Sequence, residues 1–154
     1  MRGAVAVALL AGFSSTSSAS LASKPSQLFD SYGDIPWEQE KAHLDNFAIA
    51  LQQDSNLVGY LIVYAGRCAC IDEAKDRALR ATRYLTDTRK IQPNQTKWID
   101  GGHRETFTVE LQPVPRGAPE LTAAPVLKPN EVVTKNCKPK GSKRKRTRAG
   151  FPSS

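Results

Sequence analysis

The sequence predicts an α+β fold, a single small sheet of three to four strands with two helices packed on one face. Two segments repeat apolar residues at helical spacing, residues 41–51 and 74–85. Residues 59–65 (GYLIVYA) form a continuous β-prone run. Residues 106–112 (TFTVELQ) alternate apolar and polar strictly, the mark of a half-buried strand.

Taken in order, residues 27–32 are a possible first strand. Ile35-Pro36 reads as a helix start, because proline is pre-set for the first helical turn. Glu38 and Glu40 fall in that turn, where the helix dipole favours carboxylates. Leu44, Phe47, Ala48 and Leu51 form an i, i+3, i+4, i+7 stripe, with Trp37 and Lys41 at the same spacing. His43 falls off that stripe and reads as a surface residue, and residues 54–56 end the helix. The 59–65 run is apolar on both faces, so it should be central and covered on both sides.

The second helix starts near Asp72, read as its N-cap. Ala74, Ala78, Ala81 and Leu85 line one stripe, while Lys75, Arg80, Arg83 and Asp87 face elsewhere. Asp76 with Arg80 and Arg83 with Asp87 are i, i+4 pairs, each worth a few tenths of a kcal/mol. Pro93-Asn94 is a turn, residues 96–99 a short strand, and Asp100-Gly101-Gly102 turn chemistry. In the last strand Phe107, Val109 and Leu111 point inward, and it is expected to pair antiparallel with the short strand before it.

The 154-residue chain has room for one domain, and its ends differ from its middle. Met1-Arg2, the eleven-residue apolar run 3–13 and the small polar stretch 14–23 have the three parts of a secretory signal. Ser20 and Ala22 suit a cleavage site, giving residues 1–22 as signal peptide. Eleven apolar residues are too few to cross a bilayer, which takes roughly 20. No membrane span is therefore expected in the mature chain. The formal net charge is +7. Residues 1–127 hold 13 Lys+Arg and 14 Asp+Glu, whereas 128–154 hold nine basic residues and one Glu. The basic character thus belongs to the tail, 138–154, which carries Lys138, Lys140, Lys143, Arg144, Lys145, Arg146 and Arg148. Charge at that density with little apolar surface reads as disordered. Pro113, Pro115, Pro119, Pro125 and Pro129 mark a linker, so that the domain is 28–115 and the linker 116–137.

Residues 41–115 resemble the OmpA-like periplasmic domain. The residues that carry the resemblance are Leu44-Asp45, Ala48 and Leu51 in the first helix, Gly66 after the buried strand, and Arg77-Ala78 with Tyr84-Leu85 in the second helix. Residues 91–99 are similar to a further family stretch. The resemblance implies a β-α-β-α-β-β order and association with peptidoglycan. It also implies that Arg77 grips a stem-peptide carboxylate, an arrangement suited to a bidentate guanidinium. The sequence departs from the family where an Asp-bearing loop should follow Gly66. Arg67-Cys68-Ala69-Cys70 stands there instead, and Asp72 is a substitute carboxylate. Arg67, Asp72 and Arg77 are therefore the candidate ligand residues. The plain alternative for Arg77 is a surface pair with Glu73.

Three chemistries compete for the cysteines. Either Cys68 or Cys70 can join Cys137 in a disulfide, as an oxidising compartment favours. Cys68, Cys70, His103 and Cys137 form a possible metal set, although Cys-x-Cys is not the usual zinc spacing. A cysteine could pair with His103 as nucleophile and base, but no orienting third group is evident. His103 itself follows two glycines and reads as an exposed turn residue. No nucleophile elbow, metalloprotease motif or phosphate-cradling loop occurs. The sequence is read as a binding protein with no cofactor, not an enzyme. If the chain is exported, its tail meets peptidoglycan or another anionic envelope polymer, not nucleic acid. The alternative function is a polyanion-binding protein acting through the tail alone.

Overall fold

The computed structural model describes residues 27–137. The signal segment, 1–22, and the basic tail, 138–154, lie outside the described residues. The elements in chain order are β1 (Asp30–Tyr32), α1 (Trp37–Gln53), β2 (Leu57–Ala65), β3 (Cys68–Cys70), α2 (Glu73–Arg83), β4 (Thr96–His103), β5 (Thr108–Pro115) and β6 (Val133–Lys135). A π-helical turn, Tyr84–Thr88, extends α2, and 3₁₀ turns occur at Pro93–Gln95 and Pro129–Glu131. The main sheet is mixed, with strand order β1-β5-β2-β4, and β3 and β6 form a separate two-stranded sheet. This is an α+β fold. Among the described residues no helix is long and apolar enough to cross a membrane.

The expected elements are present where the periodicity placed them. Leu44, Phe47, Ala48 and Leu51 of α1 are fully buried, and so are Ala78 and Leu85 on the second stripe. Every β2 residue from Val58 to Ala65 is buried, because β2 has a strand on each edge and a cover on each face. Leu61, Val63 and Ala65 join Val109 and Leu111 beneath the two helices. Gly59 lets α1 come this close: a Cβ there would sit 2.6 Å from Leu51 Cδ1 and 2.8 Å from Phe47 Cε1.

Several expectations are corrected. The 96–99 strand continues to His103, so Asp100-Gly101-Gly102 is strand and not turn. Gly101 is needed there because a Cβ would press 2.5 Å from Tyr64 Cδ1. β4 and β5 do not pair with each other. β4 lies parallel to β2, the arrangement a helical crossover produces, and β5 lies antiparallel on the other edge of β2. The chain between them crosses the end of β2, where the Arg104 N–H donates to the Ala65 carbonyl at 2.9 Å. An apolar strand gains more from two covered edges than from leaving one open beside a short hairpin.

Pro113 and Pro115, expected to mark a linker, belong to β5. In a strand, residues two apart direct their backbone groups to the same edge, and the Leu111 carbonyl accepts from Phe29 N–H at 2.9 Å on the β1 side. Pro113 and Pro115 share that edge beyond the end of β1, where no N–H is required.

The segment expected to be a linker, 116–137, returns across the sheet. Ala118 and Leu121 pack against Val58, Tyr60 and Val114 on the face away from the helices. The Ala124 N–H donates to the Tyr64 hydroxyl at 3.3 Å, and the Val126 and Leu127 N–H groups both reach the His103 carbonyl. The segment ends in β6, parallel to β3.

Candidate functional site

Arg77 and its surroundings form the site that sequence reasoning singled out. Glu40, one turn ahead of Leu44 on the buried stripe of α1, is itself 0% exposed. It lies in the first turn of α1 as expected, but on the buried side of the helix. Its carboxylate accepts from the Arg80 guanidinium and, at 3.3 Å, from the Tyr32 hydroxyl. Arg77 Nε lies 4.0 Å from the same carboxylate, and Arg77 Nη2 lies 3.1 Å from Asp34 Oδ1. Arg77 rests over the Phe107 ring at 4.6 Å, and Arg80 over Trp37 at 4.4 Å. An interior carboxylate is tolerated only when paired, and two guanidiniums with a phenol supply the partners. Burial, helped by the Glu40 charge, pushes the Tyr32 phenol well above its usual value, against the opposing pull of Arg77 and Arg80. The cluster joins β1, α1 and α2.

The expected helix pairs give way to this cluster. Arg80 bonds Glu40 instead of Asp76, and Arg77 faces Asp34 and Glu40 instead of Glu73. Glu73 turns back and accepts from the Cys70 N–H at 3.1 Å. Asp72 sits at the N-cap position with φ 62°, and its side chain makes no capping bond. It is exposed and not paired to Arg77, so Asp72 and Arg77, two of the three candidate ligand residues, are not brought together.

Arg67 is engaged as well. Its Nε and Nη2 donate to the two oxygens of Glu105 at 2.8 and 2.5 Å, and Nη1 donates to the Glu131 carbonyl at 3.2 Å. That bond holds the exposed Glu105 carboxyl below the usual carboxylate range. Asp34, Arg67, Cys68, Glu73, Glu105 and Phe107 line a groove of about 430 Å³ in which carboxylates outnumber cations. A ligand carboxylate would enter an acidic groove and would have to displace Asp34 from Arg77.

Cys70 is joined to Cys137, and Cys68 is free and exposed. The sequence left the choice between Cys68 and Cys70 open. Residues 68–70, expected as loop, are a strand whose middle residue, Ala69, is buried in the core. The disulfide occupies two thiols of the possible metal set. His103 stands in β4, half-buried, with Nδ1 3.2 Å from the Gly66 carbonyl, and not in an exposed turn. His43, expected at the surface, is half-buried and lies 2.6 Å from Asp30. Among the described residues no group of three or more His, Cys, Asp and Glu is placed to hold a metal ion.

Glu40, Asp34 and Tyr32 were missed from sequence. A signal existed for Glu40: it sits at i−4 from Leu44, in line with the buried stripe, so its carboxylate needed buried partners. Nothing local marks Asp34, which reaches Arg77 only through the fold. Compared with known proteins, the chain matches no family model, no curated protein and no solved structure.

Proposed function

We propose that this chain is an exported cell-envelope binding module whose basic residues 138–148 hold an anionic envelope polymer, with the folded domain as their anchor. The observation that carries the reading is the Cys70–Cys137 bond. It fixes the root of the seven-cation run covalently to the domain, one residue before Lys138. Disulfides persist in oxidising compartments, in accord with the signal-like amino end. Each Lys or Arg near an anionic surface contributes about 1 kcal/mol, weakened by salt. The α+β core is compatible with the OmpA-like resemblance, with β3 and β6 additions to the order that resemblance implies.

A second reading keeps peptidoglycan stem peptide on Arg77. The observation favouring it is that Asp34, the outer partner of Arg77, is 70% exposed and therefore displaceable. Sedimentation with purified peptidoglycan and with anionic phospholipid vesicles, at low and high salt, separates the two. Deleting 138–154 should abolish binding, high salt should weaken it steeply, and Asp34→Ala should leave it unchanged. Undiminished binding by the truncated chain would sink the tail reading. Tighter, salt-insensitive peptidoglycan binding by Asp34→Ala would establish the Arg77 site.

A further inference from the structure

Cys68 and Cys70 are two residues apart in β3, with Ala69 buried between them. Successive strand side chains alternate in direction, so both cysteines project from the outer face. Their partner strand, β6, is three residues long and wholly exposed. It is held to β3 by the parallel pairing of Cys68, Ala69 and Cys70 with Val133, Thr134 and Lys135, flanked by the Val133 N–H to the Arg67 carbonyl at 2.8 Å and the Ile71 N–H to the Lys135 carbonyl at 3.0 Å. No β6 side chain contributes to the core, so nothing buried fixes its register. A slip of one residue would invert the faces of a strand, but a slip of two preserves them.

We propose that β6 is a two-position strap whose register is exchanged by thiol–disulfide chemistry. The Cys68 thiolate attacks Sγ of Cys137, the Cys68–Cys137 bond forms, and the Cys70–Cys137 bond breaks. Cys70 leaves as a thiolate and takes up the proton that Cys68 gave up. One disulfide and one thiol are present before and after, so no outside oxidant or reductant takes part. The geometry required is a translation of β6 by two residues, about 6.6 Å in a parallel pair. Lys135 then faces Cys68 in place of Cys70.

The direction of this slip is toward the chain that precedes β6. Val126 and Leu127 are tied to the His103 carbonyl, so residues 128–132 take up slack instead of being stretched. The bonds broken are those of the short β3–β6 ladder with its two flanking backbone hydrogen bonds, and the contact of Arg67 with the Glu131 carbonyl; a shifted ladder of the same kind replaces the first. Cys70 and Thr134 now line a cavity of about 210 Å³ in front of α2, together with Asp72, Glu73 and His103. In the shifted register Thr134 leaves that cavity, Cys70 becomes a free thiol in its wall, and the root of the basic tail moves to the Cys68 groove.

The test is non-reducing peptide mapping of the full oxidised chain, acid-quenched after incubation at about pH 8.5, where thiols in general are substantially ionised. Cys68–Cys137 should appear in roughly a tenth or more of the chains, the share that a difference of about 1.4 kcal/mol between registers permits. Cys70 should become alkylatable to the same extent. Cys68→Ser should abolish both changes. Cys70→Ser, refolded in a glutathione couple that fully oxidises the wild type, should form Cys68–Cys137. Wild type that keeps only Cys70–Cys137 through prolonged incubation would overturn the proposal. So would Cys70→Ser chains that fold but leave both remaining thiols free, or wild-type chains that link to one another through Cys68 in place of the internal exchange.

Discussion

The two faces of the sheet are closed by different means. Two helices cover one face with side chains at 0% exposure, among them Leu44, Phe47, Ala48, Leu51 and Ala78. The other is closed by an irregular, proline-bearing segment, which brings only Ala118 and Leu121 to a small cluster around Val58, Tyr60 and Val114. That face relies on polar closure. Tyr64 is 1% exposed and bonds Glu110 at 3.3 Å, while Arg104 stacks on its ring at 3.5 Å and pairs with Glu110 at 2.7 Å. Where a regular element presents a stripe, apolar packing closes most of the face, and the polar groups gather in one buried cluster around Glu40. Where the cover has no period, aromatic and charged groups fill the space.

The comparison can be broken hardest at Glu40. Glu40→Ala leaves two guanidiniums and a phenol facing an emptied interior position, and should cost about 3–5 kcal/mol in denaturant unfolding. A loss under about 1 kcal/mol would show that the helix side depends on apolar packing alone. Next comes a matched pair of truncations. Leu44→Ala should cost about 2–5 kcal/mol, as deep leucine truncations do. Leu121→Ala should cost under about 1.5 kcal/mol, because Leu121 is only partly buried and flanked by few apolar neighbours. Equal losses would erase the distinction between the faces.

Alkaline titration sharpens it further. The Tyr32 phenol is raised above the usual 10 by burial, so the unfolded chain releases that proton first. The stability it contributes is whole below about pH 10 and declines as pH rises beyond it. Tyr32→Phe should flatten that decline. A steeper decline in the variant would contradict the assignment. The smallest effect is expected at the exposed Arg67–Glu105 pair. Arg67→Ala should leave the unfolding midpoint unchanged at physiological salt, since solvated ion pairs are screened. A clear shift would mean that Arg67 matters through its bond to the Glu131 carbonyl, which ties down the segment before β6.

What the sequence made legible follows from period and length. The stripes Leu44–Phe47–Ala48–Leu51 and Ala74–Ala78–Ala81–Leu85 were readable because one face of each helix is buried. The central position of β2 was readable because both of its faces are apolar. Partnership across the sheet was not. A short connection between β4 and β5 suggested a hairpin, and only the pull of both β2 edges separates them. Prolines suggested a linker, yet Pro113 and Pro115 face an unpaired edge and are free to stay in β5. Of the cluster, Arg77 was singled out by its resemblance to a family motif; Glu40 carried a signal, its place on the buried stripe of α1, that its helix-start position masked; and Asp34 carried none, because it meets Arg77 only through the fold.

The bond between Cys70 and Cys137 spans 67 positions, and it also decides how the molecule carries load. If the tail grips a polymer, tension enters at Cys137 and passes at once to Cys70, three residues before α2 begins. Residues 71–136 lie outside that path. Roughly 220 Å of potential contour length, at about 3.3 Å per residue, cannot be paid out while the bond stands. The strands and helix in that bypassed stretch feel no direct pull. Stretched from its two ends, the oxidised chain should yield only through β1, α1, β2 and β3, and reduction should add the hidden length in one step.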